Sequence, residues 1–517
     1  MNDTAEDVRT PFEPAGPAPA PAPGENRLRR NAVSFPGALA QSVSVMAPAM
    51  SGAFITYLAA IKAGGATPLA FLLATGSCLL IGGVVSSFAL RLSSAGSLYT
   101  YTVDGLGAFW GFLTGWLYSA ALIIAGPAVL AGFAVFTSLV MGNVGAPDVL
   151  RRWELWFGIG LVVYFLLSWF AIEVSTRSQL VFTAATVAAL LLLAAVIIGK
   201  GGARGNTVAV FSPGAAGVSW TLVLAGMAFG ILSFTGFETA AVLGEETRDP
   251  RWAIPWAVVG SVVLGGVFYV VVTYATAIGY GAREATTAWP KSAAGIAALA
   301  DRYAAWLGNW VLLAGGVSGL MCGLGAHNAA TRTLYAMGRD GILPKPLART
   351  HPRHRTPHVA IATNLVLMVA VATVMIGATS QAGRDAVGAT PGPLSAGFYL
   401  FAEGLTVISP LVMLCYVLLS LAGARSVLRR RGGGPGSAPI HLRRLAVPLG
   451  ALLASTLALF GSLYYSVEEV APGAGVPGPY RAVPVVALTV IVAAAAAGLG
   501  LRRRRPGVWA GLGTVFE

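Results

Sequence analysis

Long uncharged apolar runs recur along the chain, each broken by a short polar or Gly/Pro-rich stretch. They fall near 36–60, 67–90, 108–139, 155–172, 179–198 and 219–243, and again near 255–280, 308–335, 358–379, 397–422, 446–466 and 482–501. Each run is close to the roughly 20 residues that a helix needs to cross a bilayer. None shows the period-two alternation of a half-buried strand. The pattern predicts an all-α polytopic membrane protein of about 12 transmembrane helices.

Composition agrees. Of 517 residues, 56% are hydrophobic and 11% charged, and the mean hydropathy is +0.72. A water-facing domain carries about 25% charged residues, so the solvent for most of this surface is lipid. The net charge of +13 invites a nucleic-acid reading. In a polytopic chain, however, Lys and Arg set orientation. Most of the 34 basic residues fall in the N-terminal tail, in alternate loops (91–107, 173–178, 244–255, 332–357, 424–444) and in the C-terminal tail. That parity predicts both termini on the cytoplasmic side, in a bacterial cytoplasmic membrane if the excess of Arg over Lys reflects a GC-rich source. No nucleic-acid partner is expected. The N-terminal residues lack the short apolar stretch and cleavage site of a signal peptide, so the first helix is expected to remain as an anchor.

The expected organisation is a disordered, Pro/Ala-rich cytoplasmic tail over 1–30, a ten-helix core over 31–422, a basic cytoplasmic loop over 423–445, helices 11 and 12 over 446–501, and a basic tail over 502–517. Residues 289–303 are expected to form a helix lying on the outer side of the bundle. The basic segment 351–358 is expected to be solvated.

Two apolar runs contain helix breakers at mid-depth. The first reads Met46-Ala47-Pro48-Ala49-Met50-Ser51-Gly52-Ala53-Phe54, where Pro48 lacks a donor and Gly52 permits unusual dihedrals. The sixth reads Gly226-Met227-Ala228-Phe229-Gly230-Ile231-Leu232-Ser233-Phe234-Thr235-Gly236-Phe237-Glu238. Backbone freed inside a bilayer must be satisfied by protein or by a wet cavity, and paired interruptions point to a transporter's midplane site. Amide donors there suit a carboxylate and carbonyl acceptors suit an ammonium group, so a zwitterion fits. The competing reading is that Pro and Gly simply aid close packing.

These motifs resemble the amino acid, polyamine and organocation (APC) superfamily of secondary transporters. Ser51-Gly52-Ala53-Phe54 is similar to its Gly-Ser-Gly-x-Phe, and Phe234-Thr235-Gly236-Phe237-Glu238 to its aromatic-x-Gly-Phe-Asp/Glu. The stretch Glu245-Glu246-Thr247-Arg248-Asp249-Pro250 and the segment from Arg332 to Pro344 extend the match across about 36–422. The resemblance implies a LeuT-like 5+5 inverted repeat, about 36–198 and 219–422, with helices 1 and 6 interrupted. It also implies transport of amino acids or related amines by alternating access. By carry-over, the substrate-binding residues would be Ala47, Met50, Ser51, Gly52, Phe229, Ser233, Phe234 and Gly236. Met50 stands where relatives usually have glycine, and Leu232 where many have an aromatic residue.

An acid at membrane depth is a functional hypothesis, which makes Glu238 the proton-coupling candidate, against a purely structural role capping loosened backbone. Glu403 has the same logic but lies where water would reach it. Helix 8 offers Ser318 alone toward a sodium cage, and helix 5 lacks the lysine of some relatives, so proton symport or exchange is expected. His327 is expected to pack rather than titrate, and Tyr118 to bond either substrate or a backbone group. The alternative is a non-transporting amino acid sensor on the same scaffold. An enzyme is not expected, since no nucleophile–base pair, Walker loop or metal-ligand spacing occurs. No cofactor or metal is implied, and Cys78, Cys322 and Cys415 form no disulfide pattern.

Overall fold

In the computed structural model the described residues are 28–170, 172–289, 295–378, 380, 394–429, 442–465, 483–510 and 512. The expected N-terminal tail over 1–27, most of the basic loop (430–441) and the chain beyond 512 lie outside them.

The described residues are helical with no strand beyond one isolated bridge, Val33 to Thr247. Eleven stretches are long and apolar enough to cross a membrane. The first, Phe35–Ala89, is 55 residues long and holds more than one helix. It opens with α1 (Phe35–Val45), breaks at Met46 and Ala47, resumes at Pro48 through a π-turn over Ser51–Ile55, and continues as α2 (Thr56–Ala63). A 3-10 turn over Gly64–Ala66 then leads into α3 (Thr67–Ala89). The short α4 (Leu98–Leu106) lies where the sequence suggested only a loop.

The remaining long helices are α5 (Ala108–Asn143), α6 (Trp153–Phe170), α7 (Ile172–Gly199), α8 (Trp220–Phe234), α9 (Pro250–Tyr280), α10 (Gly308–Arg339), α11 (His358–Gly377), α12 (Ser395–Arg429), α13 (Leu442–Tyr465) and α14 (Val483–Arg504). Several overrun the apolar runs by a turn or more, because helix continues into polar loop sequence: α10 extends to Arg339 and α12 to Arg429.

Lipid-facing and protein-facing sides are both apolar, so burial rather than polarity separates inner helices from outer ones. In their most apolar windows, α5 is 83% and α12 72% buried, whereas α6 and α14 are each 22% buried. The inner pair approach closely through small residues: a side-chain carbon on Gly404 would collide with Ala128. Such small-residue contacts let backbones approach where apolar burial gives little drive between helices. Between α9 and α10, the described part of the helix expected over 289–303 is a 3-10 segment over Gly295–Leu299 that runs into an α-helical turn over Ala300–Tyr303; residues 290–294 lie outside the described residues.

Polar contacts tie the helices together at both ends of the bundle. At the Arg-rich end, Arg332 and Glu246 form a buried pair, with Nε–Oε2 2.5 Å and Nη2–Oε1 3.1 Å. Beside it Arg339 meets Glu245 with both terminal nitrogens, and the Tyr99 hydroxyl donates to Asp340 at 2.6 Å. At the opposite end Lys200 donates to the Tyr303 carbonyl, and Asn143 to Asn309.

Candidate functional site

Pro48 cannot donate to the preceding turn, so the first helix must stop and restart there. Pro48 takes the first position of the new segment, a place where its missing N–H costs nothing. The residue before it, Ala47, adopts a left-handed conformation at φ 46° and ψ 56°. For an L-residue with a side chain this costs about 1–2 kcal/mol. The strained residue is therefore Ala47. Gly52 sits inside the π-turn and shows no positive φ.

The carbonyls freed by the break are taken up by side chains. Cys322 Sγ donates to Val45 O at 3.0 Å, and Ser51 Oγ to Met46 O at 3.0 Å. The Tyr269 hydroxyl, from α9, lies 3.0 Å from the same Met46 oxygen.

The second break follows α8. Thr235 is extended (φ −50°, ψ 127°), Gly236 is left-handed at φ 108°, and a 3-10 segment over Phe237–Leu243 follows. Gly226 and Gly230 are ordinary helical glycines that pack on Ala63 and Ala74. Glu238 reaches back so that its Oε2 accepts the Gly236 N–H at 3.1 Å. It also accepts the Tyr416 hydroxyl at 2.7 Å on Oε2 and the Tyr118 hydroxyl at 3.0 Å on Oε1. An ionised carboxylate has lone pairs for all three donors.

The two breaks are tied to each other. Tyr269 Oη lies 2.8 Å from Ser233 O as well as 3.0 Å from Met46 O. Ser42 of α1 donates to Phe237 O at 2.6 Å and accepts the Ala240 N–H at 2.9 Å. Gly236 lies so close to Val45 that a Cβ there would stand 2.8 Å from the Val45 Cβ.

Between the breaks lies a small cavity of about 60 Å³. The first break contributes Val45, Met46, Ala47, Met50 and Ser51; the second contributes Leu232, Thr235, Gly236 and Glu238. Tyr118, Ala125 and Val129 of α5, Cys322 and Ala326 of α10, and Leu405, Ile408 and Val412 of α12 close the rest. Thr235 Oγ1 is buried here without a hydrogen-bond partner.

Five of the nine residues chosen from sequence thus meet at the cavity: Ala47, Met50, Ser51, Gly236 and Glu238. The other four are not among its lining. Gly52 faces Phe268 and Leu190, and its carbonyl accepts from Thr56. Phe229 packs at the edge of the main core, and Ser233 turns its hydroxyl back toward the Phe229 carbonyl at 3.4 Å. The Phe234 ring is buried edge-on against Tyr269, with centroids 5.1 Å apart.

Other sequence candidates fall elsewhere. Glu403, expected to be wetted, is buried with Oε2 unpartnered, because α12 packs among neighbours at that depth. His327 packs inside the scaffold, with Nδ1 2.7 Å from Asn364 Nδ2 and its ring over Tyr164. Tyr269, Ser42, Thr235 and Tyr416 gave no motif signal, yet they hold or line the breaks.

Beyond Met50, away from the Arg-rich end, Phe54 and Phe136 stack at 4.0 Å, and Phe398 and Phe401 meet Phe136 edge-on. This cluster packs together with Met50, and the Arg332–Glu246 pair ties α10 to the segment after the second break.

Two interrupted helices around a buried hollow are what the motif match to known permeases would require, and the profile of the amino acid permease family matches residues 33–494. The chain belongs to the amino acid permease family.

Among its relatives, cationic amino acid transporter 4 of Mus musculus is 28% identical over 331 residues, covering 60% of this chain and 50% of the relative. The low-affinity putrescine importer PlaP of Escherichia coli K12 is 26% identical over 60% of this chain and 67% of its own. The branched-chain amino acid permease BcaP of Bacillus subtilis is 26% identical over 65% and 73%. The chain therefore spans about half the length of the mouse relative. These relatives are named as transporters, importers or permeases, which lends no support to the sensor reading or to an enzyme.

Proposed function

We propose that this chain is a secondary transporter that moves amino acids or related amines across a membrane by alternating access. One observation carries the reading: the interruptions at 46–47 and 235–236 share one buried cavity, with left-handed residues on both sides of it. The amides of Ala49 and Met50, at the start of the resumed first helix, have no helical partner and suit a carboxylate. Carbonyls around the breaks and the Thr235 hydroxyl suit an ammonium group. In this reading Ala47, Met50, Ser51, Gly236 and Thr235 contact substrate.

In this reading the long first stretch counts as two spans, for twelve among the described residues. The first five and the next five spans then form the inverted repeats, since the breaks fall in the first helix of each. Lys and Arg parity supports cytoplasmic termini. Glu238 is the proton-coupling group in this reading, since α10 turns Gly319 and Cys322 toward the first break in place of paired hydroxyls.

The test is uptake of labelled amino acids and amines into proteoliposomes containing the purified chain, with and without a proton gradient. Saturable uptake of at least one compound is expected, accelerated by the gradient. Folded protein with no saturable flux for any compound would sink the proposal.

A further inference from the structure

Met50 lines the cavity, and its terminal methyl lies over two glycines. A side-chain carbon on Gly132 of α5 would stand 2.7 Å from Met50 Cε, and one on Gly319 of α10 would overlap it. The methionine therefore fills a slot that two neighbouring helices leave open by having no side chains there. Phe401 closes the same slot, lying 3.0 Å from a carbon built on Gly132. What remains open is about 60 Å³, small beside the roughly 300–1,000 Å³ of ordinary ligand pockets. A hollow that small favours amino acids with little side chain.

The walls narrow the chemistry further. Apart from the two breaks, Tyr118 and Cys322 they are apolar, with Ala125, Val129, Ile408 and Val412 among them. The single acid at the cavity, Glu238, is already held by Tyr118, Tyr416 and the Gly236 amide. A guanidinium or a second ammonium would have to displace one of those donors to pair with it. An uncharged side chain asks for no such exchange.

We infer that Met50 is the size filter of this permease and that its substrates are the smallest neutral amino acids, with cationic amino acids and polyamines excluded. This rests on the permease reading above and gives it a substrate class. The exclusion departs from the names of the mouse and Escherichia coli relatives, which concern cationic amino acids and putrescine. Met50→Ala removes Cγ, Sδ and Cε and opens the glycine slot to three further side-chain atoms. A pocket that gains or loses a methylene discriminates by about tenfold or more.

The experiment uses the full chain in proteoliposomes, with labelled alanine uptake competed by glycine, serine, leucine, phenylalanine, arginine and putrescine. Ligand-induced thermal shifts on the same panel give a second readout. In the unaltered chain, glycine and serine are expected to compete, and the other four are not. In Met50→Ala, the effect of leucine relative to glycine is expected to rise about tenfold or more, while arginine and putrescine stay inert. The unaltered chain tests both limits without any substitution, so a poorly folding variant leaves the inference exposed. Leucine competing as well as glycine in the unaltered chain, or an unchanged size order in folded Met50→Ala, overturns the filter. Competition or uptake of arginine or putrescine overturns the exclusion while leaving the permease reading intact. No flux and no shift with any compound overturns both.

Discussion

The hydroxyl of Tyr269 lies 2.8 Å from the carbonyl oxygen of Ser233, on the last turn before the second helix break. The same hydroxyl oxygen is 3.0 Å from Met46 O at the first break. One side chain from a third helix thus serves carbonyls at both interruptions, and a movement that separates the breaks must give up at least one of these contacts. A single hydroxyl proton is shared between two acceptors, so the pairing is easily exchanged for water or a substrate donor.

Tyr269→Phe removes that donor and keeps the ring that packs against Phe71 and Phe234. Leaving a buried carbonyl unpaired costs about 1–3 kcal/mol. The expected outcome is a lower unfolding temperature in detergent and a loss of uptake out of proportion to it. Thermal unfolding and proteoliposome flux measure the two; if neither moves, Tyr269 does not couple the breaks.

Glu238 accepts three hydrogen bonds that suit an ionised carboxylate. Glu238→Gln puts an NH₂ donor among those donors, facing either Tyr118 alone or both Tyr416 and the Gly236 N–H, so one or two of the three contacts lose their acceptor. Uptake is expected to fall by about tenfold or more, as for loss of one charge-assisted bond, with the protein still folded. If Glu238 also carries the coupled proton, the residual uptake loses its dependence on external pH. A residual uptake that keeps the original pH profile would confine Glu238 to holding the break.

The break positions were legible because proline and glycine act locally: Pro48 and Gly236 impose their effect wherever the chain runs. Which side chains line the hollow was less legible, since that depends on helix rotation and on partners far along the chain. Phe234 fits a motif, yet it turns toward Tyr269 of α9, while Thr235, one residue on, faces the cavity. Tyr269 itself sits in a long apolar run and carries no pattern of its own. Gly52 looked like the flexible point, but the restart forced by Pro48 put the strain on Ala47. Helix content and membrane class were plain from the apolar runs; their pairing required the long-range contacts of Ser42 with Phe237 and Cys322 with Val45.

The Arg332–Glu246 pair is buried, with side chains 3% and 1% exposed. Removing one partner from such a pair strands a charge and costs about 3–5 kcal/mol, whereas replacing both with apolar groups is often neutral. Glu246→Leu is therefore expected to lower the unfolding temperature far more than the double change Glu246→Leu with Arg332→Met. Thermal unfolding of both single variants and the double variant forms the cycle. Additive losses would show that the two groups act independently. If the pair also closes the Arg-rich end during transport, the stable double variant is expected to show faster leak of preloaded substrate.

Gly236 provides the sharpest test of the paired-break geometry. Its φ of 108° is strained for any side chain, and a Cβ would stand 2.8 Å from the Val45 Cβ and 3.0 Å from the Val45 carbonyl carbon. Relief would require the first break to retreat from the second, because Val45 is the last residue of α1. Gly76, in the middle of α3, has helical geometry and nothing within 4 Å of where a side-chain carbon would stand. Glycine-to-alanine changes at compatible helical sites are neutral or stabilising by up to about 1 kcal/mol, and at left-handed sites they are costly. Gly236→Ala is expected to destabilise the fold and abolish uptake, and Gly76→Ala to leave both as they were or raise the unfolding temperature. Equal behaviour of the two variants would mean that the breaks do not touch at Val45 and Gly236. The shared cavity would then lose the contact that holds its two sides together.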